Sequence, residues 1–405
     1  MKLFARPKCF SEALRLVTIL SCLLGFRAFE YPRGYPRPIL SFIYFLLLFG
    51  IFYSGSFRIQ EKFYANNVKL LRMEYFLYRL FSYIFIVSII FKMFLGWWHT
   101  KKFTACYKKI FEIDKTLRQL GLSVNYNRLY FVTIGIITVW ITTVFIICIT
   151  IFVQLQIRTN IFISIYIILV YVYAFITIGI NTFEFCIFVK CLEVKFKLVN
   201  QLLCESLTNL STKEIKLNVF ELKDYVKTMN TEKQKHILSM KMIFRRRRRV
   251  HLELCKISKV VCITFGVQTV WEIGEIIVIL TVALYNLYVR FIIQQYKVKS
   301  WADQTTFTLA MGFLSILKAV PLSSICKHAA VEVIHLVHYW KTIEIIHAIN
   351  GCDANTNMQE EIQQFGVQIL QSPVTFSVFG LTLNYRILTM VCTNCYYSNV
   401  LCSNS

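Results

Sequence analysis

The sequence predicts an all-α, polytopic membrane protein with seven spanning helices. Two compositional facts point there first. Of its 405 residues, 56% are hydrophobic and only 17% are charged, whereas a soluble domain keeps about a quarter of its residues charged. Mean hydropathy is +0.55, so much of the surface must face something other than water. The third observation is spacing: apolar runs near the roughly 20 residues needed to cross a bilayer recur along the chain. The 35 Phe and 22 Tyr suit lipid-facing helices, and six Pro with fourteen Gly leave little room for linkers.

Taken in order, the runs are Ile39–Phe57, Leu80–Trp98 (ending in an interfacial Trp pair), Leu129–Val153, Ile161–Phe188, Val260–Val289 and Thr306–Cys326. A weaker seventh begins near Val374 and reaches Cys392. Leu14–Gly25 is too short to span and lacks a small-residue cleavage site, so it reads as a re-entrant or interfacial amphipathic helix. Three parts follow: a cytoplasmic N-terminal segment 1–38, spans one to six over 39–326 with a long cytoplasmic helical loop at 189–259, and a cytoplasmic linker with span seven over 327–405.

Loop charge sets the orientation. The N-terminal segment carries seven Lys and Arg, the loop after span two seven, residues 189–258 sixteen and the loop after span six two. The opposite loops carry five, one and three. The expected N-terminus is therefore cytoplasmic and the C-terminus outside. The net charge of +23 reports loop placement, and nucleic acid is not expected as a partner; the lipid bilayer is. The fourteen Cys are scattered, with a single CxxC at Cys392 and Cys395 near the C-terminus and no second pair to complete a metal site, and the outward loops contain none. They are expected to be small apolar residues within helices.

No P-loop, GxGxxG, HExxH or GxSxG occurs, so neither enzymatic activity nor a cofactor is expected. Glu332, His335 and His338 have helical spacing, but a polar helix face explains them better than a metal site, and none is expected. The Arg245–Arg249 run stands about ten residues before span five; anionic lipid headgroups and a solvated topology stop are both open readings. The sequon at Asn209 and Ser211 falls on the cytoplasmic side. Charges within spans are more informative, because they are expensive there. Glu272 and Glu275 are three apart on one face of span five, Glu184 lies in span four and Lys318 in span six. They either face a ligand pocket or join helices as buried pairs. Trp140, Tyr171, Tyr173 and Trp271 are further pocket candidates, with packing as their plainer role.

One stretch resembles a known family. Glu361–Met390, EIQQFGVQILQSPVTFSVFGLTLNYRILTM, is similar to the segment leading into span seven of the insect gustatory receptors, through Ile362, Phe365, Gln368 and Leu370, then Phe376, Gly380, Leu381, Leu383, Asn384 and Leu388. LRLVTILSCLLGF, Ala105–Gly121 and the stretch from His251 resemble other parts of that family less specifically. The resemblance implies a ligand-gated, non-selective cation channel of the plasma membrane, sensing small-molecule tastants. It implies a homo- or heterotetramer with other gustatory receptor subunits, and a pore lined by span seven. Leu388, Thr389 and Val391 are pore candidates by position. An odorant-receptor-like channel is the alternative. From Thr393 the chain reads TNCYYSNVLCSNS, where the family ends in Thr-Tyr, an apolar run and Gln-Phe; a truncated or frame-shifted, non-conducting copy is the expectation from that departure.

Overall fold

The computed structural model describes residues 7, 9–27, 37–54, 72–122, 124–156, 160–218, 226–292, 301–349, 377–378 and 381–382. Within them the chain is helical but for one small strand pair. Two short helices open it, α1 (Phe10–Ala13) and α2 (Arg15–Leu23). Next comes α3 (Pro38–Phe49), which loosens into a π-helical turn at Gly50–Ser54; Pro38 suits its start because a first-turn residue needs no intrahelical N–H bond. Five long helices follow: α4 (Arg72–Gln119), α5 (Tyr126–Gln156), α6 (Ile161–Asn218), α7 (Val226–Ile292) and α8 (Trp301–Ile349).

Expected spans two to six fall inside the long helices, and the described part of span one is α3 with its π-helical turn. Tyr126–Val153, Ile161–Gln201, Arg248–Tyr288 and Thr308–Ala329 are long and apolar enough to cross a bilayer, and Pro38–Tyr53 is a shorter apolar helix. Span two lies inside α4. At about 1.5 Å per residue, α6 and α7 reach about 87 and 100 Å, well beyond a hydrocarbon core of about 30 Å. The region between spans four and five therefore continues the two helices across most of its length, as its alternation of apolar and charged residues predicts.

The expected helical seventh span meets a local difference. Ser377–Val378 and Leu381–Thr382 form an antiparallel pair, with Ser377 opposite Thr382 and Val378 opposite Leu381, and Ser377–Val378 lies against α7. Val and Thr favour extended backbone. The rest of that span, including Phe376, Gly380, Asn384, Leu388, Thr389 and Val391, lies outside the described residues, as do Ile362, Phe365 and Gln368.

The segment before span one is tucked into the bundle. Leu14, Val17 and Ser21 are fully buried, against α4, α5 and α6. Gly25 closes α2 in the left-handed region (φ 81°), so that the Phe26 amide donates back to Ser21 O at 2.9 Å; only glycine takes this backbone without strain. The chain then presses the Phe26 carbonyl onto Gly96 of α4, where a Cβ would collide with it.

A main core cluster joins α1, α4, α6, α7 and α8 through Phe103, Ile110, Phe188, Phe196, Leu254, Phe265 and Leu322. Large apolar side chains such as Ile39, Phe94, Phe131, Ile149, Phe162 and Ile263 point outward instead, as helices bathed in lipid require. The nine cysteines whose side chains are described are free thiols, seven of them buried, matching the expectation of small apolar helix residues. Burial pushes the Cys106 thiol above its ordinary value, with Lys109 opposing.

Candidate functional site

The ionisable residues of the spans converge on a box of four charges. Lys92 of α4 meets Glu275 of α7 at 2.8 Å and Glu272 at 3.1 Å. Lys318 of α8 meets Glu272 at 2.5 Å and Glu275 at 3.6 Å. Thr182 of α6 donates to Glu272 Oε2 at 2.6 Å. All four charged residues are at most 5% exposed, and the two Lys balance the two Glu. Net neutrality is what permits this burial, since an unpaired charge in a low-dielectric interior is prohibitively costly. Of the two readings open for Glu272 and Glu275, the observed geometry is that of helix-joining pairs.

Satisfaction in the box is incomplete. Lys318 Nζ is held by its ion pairs with the two glutamates, but Glu272 Oε1 and Glu275 Oε1 have no hydrogen-bond partner among the described residues. Beside them a cavity is lined by Asn181, Thr182, Gln268, Thr269, Glu272 and Leu322, with Phe185 and Phe265, and it leaves about 10 Å³ for the centre of a water molecule. That is room for about one water, and Asn181 Nδ2, which has no hydrogen-bond partner among the described residues, would give it a donor.

Glu184 belongs to a second site. Arg27, just after α2, pairs with it, and Ser21 Oγ approaches its other oxygen at 3.5 Å. The guanidinium also lies 4.7 Å over the Phe103 ring, a favourable contact for a buried cation. This pair ties the N-terminal segment to α6.

The aromatic candidates divide among three places. Trp140 is 1% exposed, donates from its indole to Phe175 O at 3.2 Å and rests on Gly179, where a Cβ would strike the ring. Tyr171 stacks on Phe175 at 5.8 Å, in the same cluster. Tyr173 stacks on Phe52 at 4.3 Å and donates to Leu24 O at 3.0 Å. Trp271 packs on Phe91 at 5.1 Å, next to the box. Lys92, the fourth corner of the box, escapes sequence reasoning, although a lysine inside IIFKMFLG is a visible signal.

A third ionic site joins Asp114 of α4, Tyr126 of α5 and Lys195 of α6. Lys195 donates to Asp114 and, at 2.9 Å, to Tyr126, which itself donates to Asp114. No sequence signal separates these residues from the surface charges of an amphipathic helix. No group of three metal-ligating side chains forms among the described residues; the side chains of Glu332, His335 and His338 lie outside them. Arg245, Arg246 and Arg249 are exposed on α7.

Residues 14–402 match the model of the 7tm chemosensory receptors. The chain belongs to that family. Its fold is similar to that of the insect olfactory receptor OR5 from Machilis hrabei, with a TM-score of 0.53 at 10% identity, over 96% of this chain and 97% of that one. The same receptor in complex with eugenol superposes with a TM-score of 0.56 at 9% identity, over the same shares. A comparison with curated protein sequences returns no match. The receptor is thus a mainly helical, multi-pass membrane protein of a chemosensory family.

Proposed function

We propose that this chemosensory receptor is a gustatory receptor: a subunit of a ligand-gated, non-selective cation channel of the plasma membrane that senses small-molecule tastants. The observation that carries the gustatory reading is the Glu361–Met390 stretch, with Ile362, Phe365, Gln368, Phe376, Gly380 and Asn384 at the family's motif positions. The similar receptor solved with eugenol supports a small organic ligand. It also favours the second reading, an odorant-receptor-like channel.

In this reading the N-terminus is cytoplasmic, the C-terminus outside, and four like or related subunits surround a pore lined near Leu388, Thr389 and Val391. Ligand contacts are drawn from the candidates Trp140, Tyr171, Tyr173, Glu184, Trp271, Glu272 and Glu275, of which the three glutamates also join helices as ion pairs. Ligand must bind the open arrangement more tightly than the closed one to gate at all.

The test is cation current in a heterologous cell challenged with a sugar, a bitter alkaloid, an amino acid, carbon dioxide and eugenol, with the tail from Thr393 and with a family-like tail. Current evoked by one of the first four supports the gustatory reading, and a response to eugenol alone supports the odorant one. Current only with the family-like tail marks this chain as a non-conducting copy. Silence of both forms at normal surface levels overturns the channel reading.

A further inference from the structure

We propose that Glu272 and Glu275 form a two-rung charge ladder along which Lys318 is handed over when α8 slides against α7, so that the box is a gating register and not only a brace. The inference rests on the channel reading for its link to gating, but the ladder itself stands on four observations.

First, the two carboxylates are one turn apart on the same face of α7, and Lys318 of the antiparallel α8 sits between them, at 2.5 Å from Glu272 and 3.6 Å from Glu275. Second, the upper rung has spare acceptor capacity: Glu275 Oε2 accepts from Lys92 at 2.8 Å, while Glu275 Oε1 has no hydrogen-bond partner among the described residues. Third, Lys92 bridges both carboxylates from α4, at 3.1 and 2.8 Å. Whichever rung Lys318 occupies, the vacated glutamate keeps a cation, so neither register leaves a bare charge in the interior. Fourth, the α7–α8 seam beyond the box has one close approach of small residues: at Gly312 of α8 the nearest neighbour a Cβ would meet is the Ala283 Cβ of α7, at 3.8 Å. Beside it Ile279 of α7 packs with Met311 and Leu314 of α8, the side chains that a slide must carry past one another.

Two discrete arrangements of similar pairing are what a bistable element needs. The full rise between the rungs is about 4.5 Å for three helical residues. Thr182 donates to Glu272 alone, which biases the present register toward the lower rung and connects α6 to the choice. A movement of α6 that withdrew Thr182 would release Lys318 toward Glu275.

The seam supplies the test. In the full-length receptor carrying Gly312→Cys and Ala283→Cys, the paired Cβ atoms lie within disulfide range, and copper–phenanthroline oxidation reads the present register without ligand. A slide of about 4.5 Å takes the pair out of that range. Glu272→Gln leaves Lys318 only the upper rung, and disulfide formation slows by about fivefold or more. Glu275→Gln leaves both lysines on the lower rung, and the rate is unchanged. Basal sodium current rises in Glu272→Gln and returns to the unmutated level once the disulfide closes. Should Glu272→Gln fail to reach the membrane, Glu272→Asp, whose shorter arm weakens the lower rung, slows the disulfide in the same direction. Equal disulfide rates in the two glutamine variants overturn the ladder, whatever the current. Unequal rates with no basal current in any variant keep the ladder and remove its link to a channel.

Discussion

Of the three buried ionic sites described, the two largest are built to different standards. In the Asp114–Tyr126–Lys195 triad every partner is engaged: the lysine donates to both acceptors, and the tyrosine closes the triangle by donating to the carboxylate. In the Lys92–Glu272–Glu275–Lys318 box each charge has a counter-charge, yet Glu272 Oε1 and Glu275 Oε1 lack hydrogen-bond partners among the described residues. Fully satisfied polar networks rigidify, whereas partly satisfied ones retain alternatives of similar energy. The triad is therefore an anchor where α4, α5 and α6 meet, and the box is the place where α7 and α8 can rearrange.

The largest expected effect sharpens the resemblance between them. Asp114→Ala leaves Lys195 buried and without its counter-charge, at a cost of about 3–5 kcal/mol, read as a loss of monodisperse receptor in fluorescence-detected gel filtration after heating. Lys92→Met should fall in the same range, but here Glu275→Gln on the same chain should recover a large part of the loss, because the pair is removed together. A double variant no better than Lys92→Met would mean that Lys92 acts by packing alone.

A smaller effect probes the triad's completeness. Tyr126→Phe removes a hydroxyl that both receives from Lys195 and donates to Asp114, for about 1.5–3 kcal/mol since its partners are charged. Thr182→Val removes one hydrogen bond to Glu272 in the box and should cost about 1.5 kcal/mol, or less if Glu272 shifts to Lys92. If Thr182→Val proved the costlier, the contrast between anchor and adaptable box would fail.

Next comes a packing control away from both clusters. Gly179→Ala sets a Cβ against the Trp140 ring and should destabilise by about 1–3 kcal/mol, as overpacking does, with no change in the disulfide rate between α7 and α8. The smallest effect belongs to Lys256→Ala, which breaks a pair with Glu253 at 2.8 Å on an exposed face of α7. The pair is solvent-screened and within one helix, so its melting point should change by an amount corresponding to less than about 0.5 kcal/mol.

How much of this was legible beforehand depends on the background against which a residue stands. Glu184, Glu272, Glu275 and Lys318 are visible because each interrupts an apolar run, and a charge in such a run needs a partner. Asp114 and Lys195 are as deeply buried, at 2% and 0% exposure, but stand among other charges on helices whose opposite faces meet water, so nothing in the one-dimensional pattern separates them. Trp140 and Tyr173 were legible as large aromatics but not as members of different clusters.

By itself the sequence determined the helical membrane class, the apolar helices of spans three to six and the continuation of spans four and five as long helices. Hydropathy and chain length are properties of each segment alone, and the bilayer acts on each segment separately. The tertiary structure decided which charges pair, that Glu184 answers to Arg27 and not to Lys318, and that Lys92 completes the box. Those choices depend on which helix faces which neighbour, at what height and with what rotation, and no local pattern encodes a distance between residues 183 positions apart such as Lys92 and Glu275.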